Sequence, residues 1–156
     1  MRPPSGPAAM RELYGDPRPF VREDGTVSPV WEARMVTVAL LAPLPLGWDR
    51  KKYATKVRVN QAIAEEVEGV FVDLADFWHH LSTYDGGYTF RLTRGGSKLS
   101  MHGYGAALDF NAPWNKLGRS PTMPSEVVRV FTRRGWTWGG KWKRPDGMHF
   151  QFGRGY

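Results

Sequence analysis

The chain has 156 residues, which is short enough for one domain and long enough to bury a core of its own. Its 22 Lys and Arg against 15 Asp and Glu give a formal net charge of +7, which favours a polyanionic partner such as nucleic acid, membrane lipid or bacterial cell wall. Because the chain has no Cys, it has neither a disulfide framework nor a thiolate metal site, and any metal must be held by nitrogen and oxygen ligands.

The first part of the chain, residues 1–34, is rich in Pro, Gly and charged residues. Turn signals recur there and predict an arm of loops over the surface, with a wall-binding or docking arm as the alternative. The remaining residues, 35–156, are predicted to form the functional domain. No apolar run follows the first Arg, so we expect no secretory signal and a soluble protein made in the cytoplasm.

Two apolar patterns follow in the next part of the chain. Residues 35–41 are apolar and partly β-branched, and Pro43 comes just after them, which predicts a strand that ends there. This most apolar region, up to residue 48, is too short and too Pro-rich to span a bilayer. Between residues 60 and 81, apolar residues recur every three or four positions and predict an amphipathic helix. Its stripe is Ile63, Val67, Phe71, Leu74, Trp78 and Leu81.

Three further elements are predicted in the second half. Residues 88–92 alternate after a Gly-Gly turn and predict a strand. Residues 124–135 begin with Pro and an acidic first turn and end with two Arg and a Gly, which predicts a helix between these signals. Residues 148–152 alternate as a last strand, with His149 and Gln151 on one face.

The residues with the most chemistry fall in two short stretches. His102 and Asp109 are seven positions apart with small residues between them, and Asp109 has two apolar neighbours, which predicts burial. A buried carboxylate needs a partner or a metal. Far downstream the chain supplies Asp146 and His149. Two imidazoles and one carboxylate make three ligands for a four-coordinate Zn²⁺ and leave one position open for water, as catalytic zinc sites require; Asp146 then remains as a possible base.

These residues also carry a family resemblance. The motifs are Ser100-x-His102-x-x-Gly105-x-Ala107-x-Asp109, Gly135-Trp136-x-Trp138-Gly139-Gly140-x-Trp142 and Asp146-x-Met148-His149-Phe150. Together they resemble the zinc D-alanyl-D-alanine carboxypeptidase (VanY-like) family, most of all its phage-type branch, the L-alanyl-D-glutamate endopeptidases used as endolysins. The likeness is close over roughly residues 84–152. It implies an α+β fold of the hedgehog/D,D-peptidase type, a single compact domain with a small, mainly antiparallel sheet and flanking helices.

The resemblance gives the candidate residues distinct roles. His102, Asp109 and His149 are expected to bind one Zn²⁺, which lowers the pKa of its water to about 7 and polarises the scissile carbonyl. Asp146 would take the water's proton and pass it to the leaving amine. Some relatives carry Glu at this position, and the shorter Asp demands a closer approach.

Four other residues are candidates for contacts around the metal. Arg91 matches an arginine that points into the site in the resembled family, and its guanidinium could grip a substrate carboxylate or an oxyanion with two donors. Arg94 is the competing candidate. Ser100 could orient a metal ligand through a hydrogen bond without binding the metal itself. Trp138 belongs to an aromatic cluster that could be core, a wall of the cleft, or both.

The expected activity is hydrolysis of a peptide bond in peptidoglycan stem peptides. An L-Ala-D-Glu endopeptidase of the endolysin type is favoured, with D-Ala-D-Ala carboxypeptidase next, and we expect a monomer that reaches the wall after release from the cytoplasm. A non-catalytic zinc-containing module that holds cell-wall peptide is the alternative, although such a module has no need of Asp146. A nucleic-acid-binding protein is less favoured, because the Lys and Arg residues are scattered along the chain.

Overall fold

The computed structural model describes residues 1–91 and 98–155. The strands are β1 (Met35–Leu46), β2 (Asp49–Asn60), β3 (Tyr84–Gly86), β4 (Ala107–Phe110), β5 (Thr137–Trp138) and β6 (His149–Gln151). The α-helices are α1 (Gly6–Tyr14), α2 (Pro29–Glu32), α3 (Ala64–Asp73) and α4 (Ser125–Arg133). Short 3₁₀ segments are Arg18–Phe20, Gln61–Ile63, Ala75–His80, Ala112–Trp114 and Gly139–Lys141.

The six strands form one sheet in the order β2-β1-β3-β4-β6-β5. Neighbouring strands are antiparallel except β1 and β3, which meet in parallel at Leu46 and Tyr84. Helix α3 packs on β1 and α4 packs on β5, so the core lies between the helices and the sheet. The predicted α+β fold with a small, mainly antiparallel sheet is therefore confirmed. No helix among the described residues is long and apolar enough to cross a membrane.

Aromatic side chains join α4 to the middle of the sheet. The rings of Phe131 on α4 and Phe150 on β6 stack with centroids 4.1 Å apart, and Phe110 on β4 lies 6.3 Å from Phe131. All three side chains are completely buried. Truncating a buried Phe to Ala costs about 3–5 kcal/mol, so this contact fixes the strands whose opposite faces carry polar residues.

The helix predicted between residues 60 and 81 is confirmed in its middle and wrong at its ends. Strand β2 continues to Asn60, whose side-chain oxygen accepts the backbone N–H of Ala62 at 3.0 Å and begins a 3₁₀ turn. After α3, the chain tightens into a second 3₁₀ segment, where Trp78 meets the edge of Phe71 at 5.5 Å. The apolar stripe is buried except for Trp78, which is partly buried, and Val70, which the period of three or four did not select, is buried with it.

Two strand predictions need correction. Strand β1 does not end at Pro43 but continues to Leu46. The pairing with β2 shifts register between Ala39 and Leu44, so Pro43 lies in an irregular stretch that needs no ladder hydrogen bond. The strand predicted at residues 88–92 is wrong for 88–91, which have no strand assignment, and residue 92 lies outside the described residues.

Residues 1–34 are not an arm of loops over the surface. They contain α1 and α2, and Met10, Tyr14 and Trp31 are almost fully buried in the common core. The Tyr14 hydroxyl donates to the carbonyl of Phe152, directly after β6. The loop prediction failed because Pro and Gly lie at the helix ends, with Pro7 in the first turn of α1 and Gly15 at its end.

Candidate metal centre

A tight turn positions His102. The carbonyl of Ser100 accepts two backbone N–H groups from the residues that follow His102, at 2.8 and 3.2 Å. The turn ends at Gly105 with φ +69°, and its carbonyl accepts the N–H of Asn60 at 2.8 Å. A Cβ at Gly105 would lie 2.6 Å from Met35 Sδ and 2.7 Å from the Asn60 nitrogen, so only glycine fits. The turn that carries His102 is thereby anchored to the end of β2.

Asp109 and His149 are positioned by the pairing of β4 and β6. They are directly opposite each other in the antiparallel register, so their side chains project from the same face. Gln151 is two residues beyond His149 and shares that face, as the alternation predicted. The other face of the same strands carries Phe110 and Phe150.

The three predicted ligands converge in space. His102 Nε2 lies 3.2 Å from Asp109 Oδ2, His149 Nδ1 lies 2.9 Å from Asp109 Oδ1, and the two ring nitrogens are 3.2 Å apart. Four ligands at 2.0–2.1 Å around a tetrahedral Zn²⁺ are about 3.3 Å from one another, so these separations are close to those of a metal site. The two imidazoles are buried, and the Asp109 side chain is 15% exposed.

Hydrogen bonds on the far side of each ring fix which nitrogen faces the centre. His102 Nδ1 lies 2.7 Å from the carbonyl oxygen of Gly87, which can only accept. The Gln151 amide donates its Nε2 to the Gly153 carbonyl at 3.0 Å, so its oxygen faces His149 Nε2, also at 3.0 Å. Both outer nitrogens therefore carry hydrogen, and His102 Nε2 and His149 Nδ1 present lone pairs to the centre.

This arrangement fits a divalent cation. When both rings are neutral, His102 Nε2 and His149 Nδ1 present lone pairs to each other and to the Asp109 carboxylate. These groups are 2.9–3.2 Å apart, and none of them carries a hydrogen that could bridge the gap. Burial by itself would raise the pKa of Asp109, but the charge and hydrogen bonds of His102 and His149 outweigh it and lower that pKa. Burial lowers the pKa of His149, but the hydrogen bonds and charges of Asp109, Gln151 and Asp146 together outweigh burial and raise that pKa. The centre thus favours bound positive charge, and its donor set suits Zn²⁺.

Asp146 lies at the same centre. Its backbone N–H donates to the Gly139 carbonyl at 2.9 Å, and its carbonyl accepts the N–H of His149 at 3.2 Å, so a turn leads directly from Asp146 into β6. It lines a cavity of about 200 Å³ together with His102, Asp109 and His149. Its negative charge adds to the rise in the pKa of His149, which places the carboxylate within electrostatic reach of that ring.

Arg91 and Ser100 also line this cavity. Arg91 is exposed, and its carbonyl accepts the N–H of Ser100 at 3.0 Å, so it is held beside the turn that carries His102. The Ser100 hydroxyl accepts the N–H of Gly103 at 3.3 Å. Ser100 therefore stabilises the turn, whereas the imidazole itself is oriented by the Gly87 carbonyl. Arg94 lies outside the described residues.

Trp138 is not brought to the centre. Its indole N–H donates to the Gly147 carbonyl at 2.9 Å, and its ring lines a separate pocket beside α4. The tryptophan of this segment that does reach the cavity is Trp142, whose ring centroid lies 5.4 Å from that of His149. The sequence places both residues in one aromatic cluster, and only the position of the side chains in the fold separates them.

A wider groove of about 660 Å³ adjoins the cavity. Both are lined by Arg91, His102, Asp109 and Met148, so two of the candidate ligands, His102 and Asp109, lie at the junction between them. The rest of the groove is lined by Gly47 and Trp48 of the β1–β2 hairpin, Asp85 to Gly87, Thr89, and Ala112, Pro113 and Lys116.

Sequence reasoning missed three contributors to the centre, namely Gly87, Gln151 and Trp142. Gln151 could have been found, because the predicted alternation already placed it on the face of His149. The contribution of Gly87 comes from its backbone carbonyl, which leaves no signal in residue type.

Comparison with known families adds one finding. A family model described as D-alanyl-D-alanine carboxypeptidase matches residues 93–152, a stretch that includes His102, Asp109, Asp146 and His149. The match supports a hydrolase of the metallopeptidase type with a peptidoglycan substrate. Comparisons with curated proteins and with solved structures gave no match.

Proposed function

We propose that the chain is a zinc peptidase that hydrolyses a peptide bond in the stem peptides of bacterial peptidoglycan. The observation that carries the proposal is the convergence of His102 Nε2, His149 Nδ1 and the Asp109 carboxylate at 2.9–3.2 Å, with each outer ring nitrogen held by an acceptor. A bound Zn²⁺ would supply Lewis acidity and a water of lowered pKa. Three protein ligands would hold it and leave one position open.

Asp146 is the proposed general base. Its carboxylate lines the same cavity as the three ligands, on the turn that leads into His149. It would accept a proton from the attacking water and return it to the leaving amine. Ligation by two histidines and Asp109 does not require a second acidic side chain at this point, so Asp146 favours catalysis over a purely structural metal.

Arg91 is proposed to bind a negative oxygen of the substrate or of the tetrahedral intermediate. It is exposed, and it lines both the cavity and the groove at their junction. A guanidinium at this point can donate two parallel hydrogen bonds to a carboxylate and stabilise developing negative charge.

An endopeptidase of the endolysin type that cuts L-Ala-D-Glu is the favoured form of this activity, and D-Ala-D-Ala carboxypeptidase is the next. The cavity and the groove extend from the same four residues, so the cleft offers space for substrate beyond the ligands in more than one direction. A carboxypeptidase needs room for only one terminal residue beyond the cut, whereas an endopeptidase needs room on both sides.

The test is digestion of purified peptidoglycan by the protein, followed by mass spectrometry of the fragments. Hydrolysis should stop when a chelator is added and return when Zn²⁺ is restored. The new termini of the fragments identify the bond that is cleaved. His79→Ala is the matched control for His149→Ala, because His79 is exposed and lines neither the cavity nor the groove. Cleavage that persists in metal-free protein would refute the proposal.

A further inference from the structure

Asp85 is the extra residue of a β-bulge beside the metal centre. In the pairing of β3 with β4, Tyr84 is opposite Phe110 and Gly86 is opposite Asp109, so Asp85 has no partner in the ladder. Bulges of this kind redirect a side chain and are common next to active sites. Here the bulge directs the Asp85 side chain to the wall of the wide groove.

The two oxygens of the Asp85 carboxylate have different surroundings. Oδ2 accepts the Thr83 hydroxyl at 2.7 Å and the N–H of Ala112 at 2.9 Å, which fixes the side chain. Oδ1 lies over Gly47, where a Cβ would overlap it, and accepts no hydrogen bond from the described residues. The glycine at the tip of the β1–β2 hairpin thus leaves space for an oxygen on the groove wall.

The negative charge of Asp85 is more than its structural contacts require. An amide oxygen would accept the Thr83 hydroxyl and the Ala112 N–H equally well. Among the described cations, Arg50 influences Asp85 only through longer-range charge, and its guanidinium lies 4.9 Å over the ring of Trp114. Burial raises the pKa of Asp85, and so does the charge of Asp109. A charged carboxylate at this half-buried position therefore costs free energy.

We propose that Asp85 binds a protonated primary amine of the substrate through Oδ1. The inference rests on the proposed function and names the part of the substrate that enters the wide groove. In a stem peptide, the diamino residue carries such an amine on its side chain. Arg91 lines both the cavity and the groove, whereas Asp85 lines the groove alone, so the two would together select a peptide that carries both a carboxylate and an amine.

The test uses two stem peptides that differ only in whether the side-chain amine is free or acetylated. The wild-type protein should hydrolyse the free-amine peptide with a kcat/KM about ten- to a hundredfold higher, the effect of one charge-assisted hydrogen bond. Asp85→Asn keeps an oxygen for Thr83 and Ala112 but removes the charge, and it should abolish this preference. Asp76→Asn is the matched control, because it removes the same charge from an exposed residue outside the groove and should leave the preference intact.

Equilibrium binding of both peptides to the zinc-loaded protein, measured by calorimetry, separates this inference from the proposed function. Preferential binding of the free amine that Asp85→Asn abolishes supports the role of Asp85 even if neither peptide is cleaved, in which case the proposed function fails alone. Equal cleavage and equal binding of the two peptides by the wild type would overturn the amine assignment. An equal loss on both peptides in Asp85→Asn would show a purely structural role and would also overturn it.

Discussion

Gln151 should control metal affinity without touching the metal. Its amide oxygen accepts His149 Nε2–H at 3.0 Å, and its own Nε2 is held by the Gly153 carbonyl at 3.0 Å. In Gln151→Leu, nothing holds the hydrogen on Nε2, so it can move to Nδ1, the nitrogen that faces the centre. Loss of such an outer hydrogen bond weakens metal binding about 10–100-fold, which is about 1.4–2.8 kcal/mol. The Gly153 carbonyl loses one of its two donors and keeps the Thr137 hydroxyl at 3.2 Å, so unfolding should become easier by about 0.5–1.5 kcal/mol.

The assay is competition for Zn²⁺ with a chromophoric chelator, with thermal unfolding measured in parallel. Gln151→Glu is the matched control, because it keeps an acceptor for His149 and should retain much more of the zinc affinity than Gln151→Leu. Unchanged zinc affinity in Gln151→Leu would refute the argument that this contact sets the tautomer. Equal losses in Leu and Glu variants would point to packing around residue 151 instead.

Three other outcomes follow from the same geometry. His149→Ala should lose both zinc and turnover, whereas Asp146→Ala should keep zinc and lose turnover by about 10²–10⁴-fold; equal zinc loss, measured by metal analysis, would make Asp146 a ligand. Gly105→Ala should lower stability by about 1–3 kcal/mol or more in thermal unfolding, because residue 105 has φ +69° and a Cβ there meets neighbouring atoms; unchanged stability would contradict this. In metal-free protein, the raised pKa of His149 stabilises the fold at pH values below its unfolded pKa of about 6.5, and this stabilisation is lost as the pH rises through the pKa of the folded state. The lowered pKa of Asp109 stabilises the fold at pH values above its unfolded pKa of about 3.9. Metal-free stability should therefore fall above about pH 6.5, and zinc should reverse the fall; a pH-independent midpoint of urea unfolding would argue against the ion pair.

The side chains at the centre were largely predictable from sequence, because their chemistry belongs to residue type and their placement to local patterns. Asp109 between two apolar residues and His149 on an alternating strand both required a buried polar face. The contact from Gly87 was not predictable, since any residue offers a carbonyl and only the fold decides which one meets His102.

The errors in the fold arose where tertiary packing overrode local signals. Pro43 normally ends a strand, but the register shift in β1 accommodates it. Residues 88–91 alternate like a strand, yet the N–H of Tyr88 bonds to the Arg58 carbonyl and that of Thr89 to the His102 carbonyl, so the segment bridges two elements instead of extending a ladder.

The packing of α1 has a practical consequence for anyone who trims or fuses this protein. Tyr14 bonds to the carbonyl of Phe152, and Met10 lies close to Gly153, whose own carbonyl holds Gln151. Cutting the chain before residue 35 would remove a brace from the strand that bears His149 and leave a hole lined by apolar atoms. The smallest fragment that keeps this packing therefore includes α1, and a fusion partner should be attached outside α1.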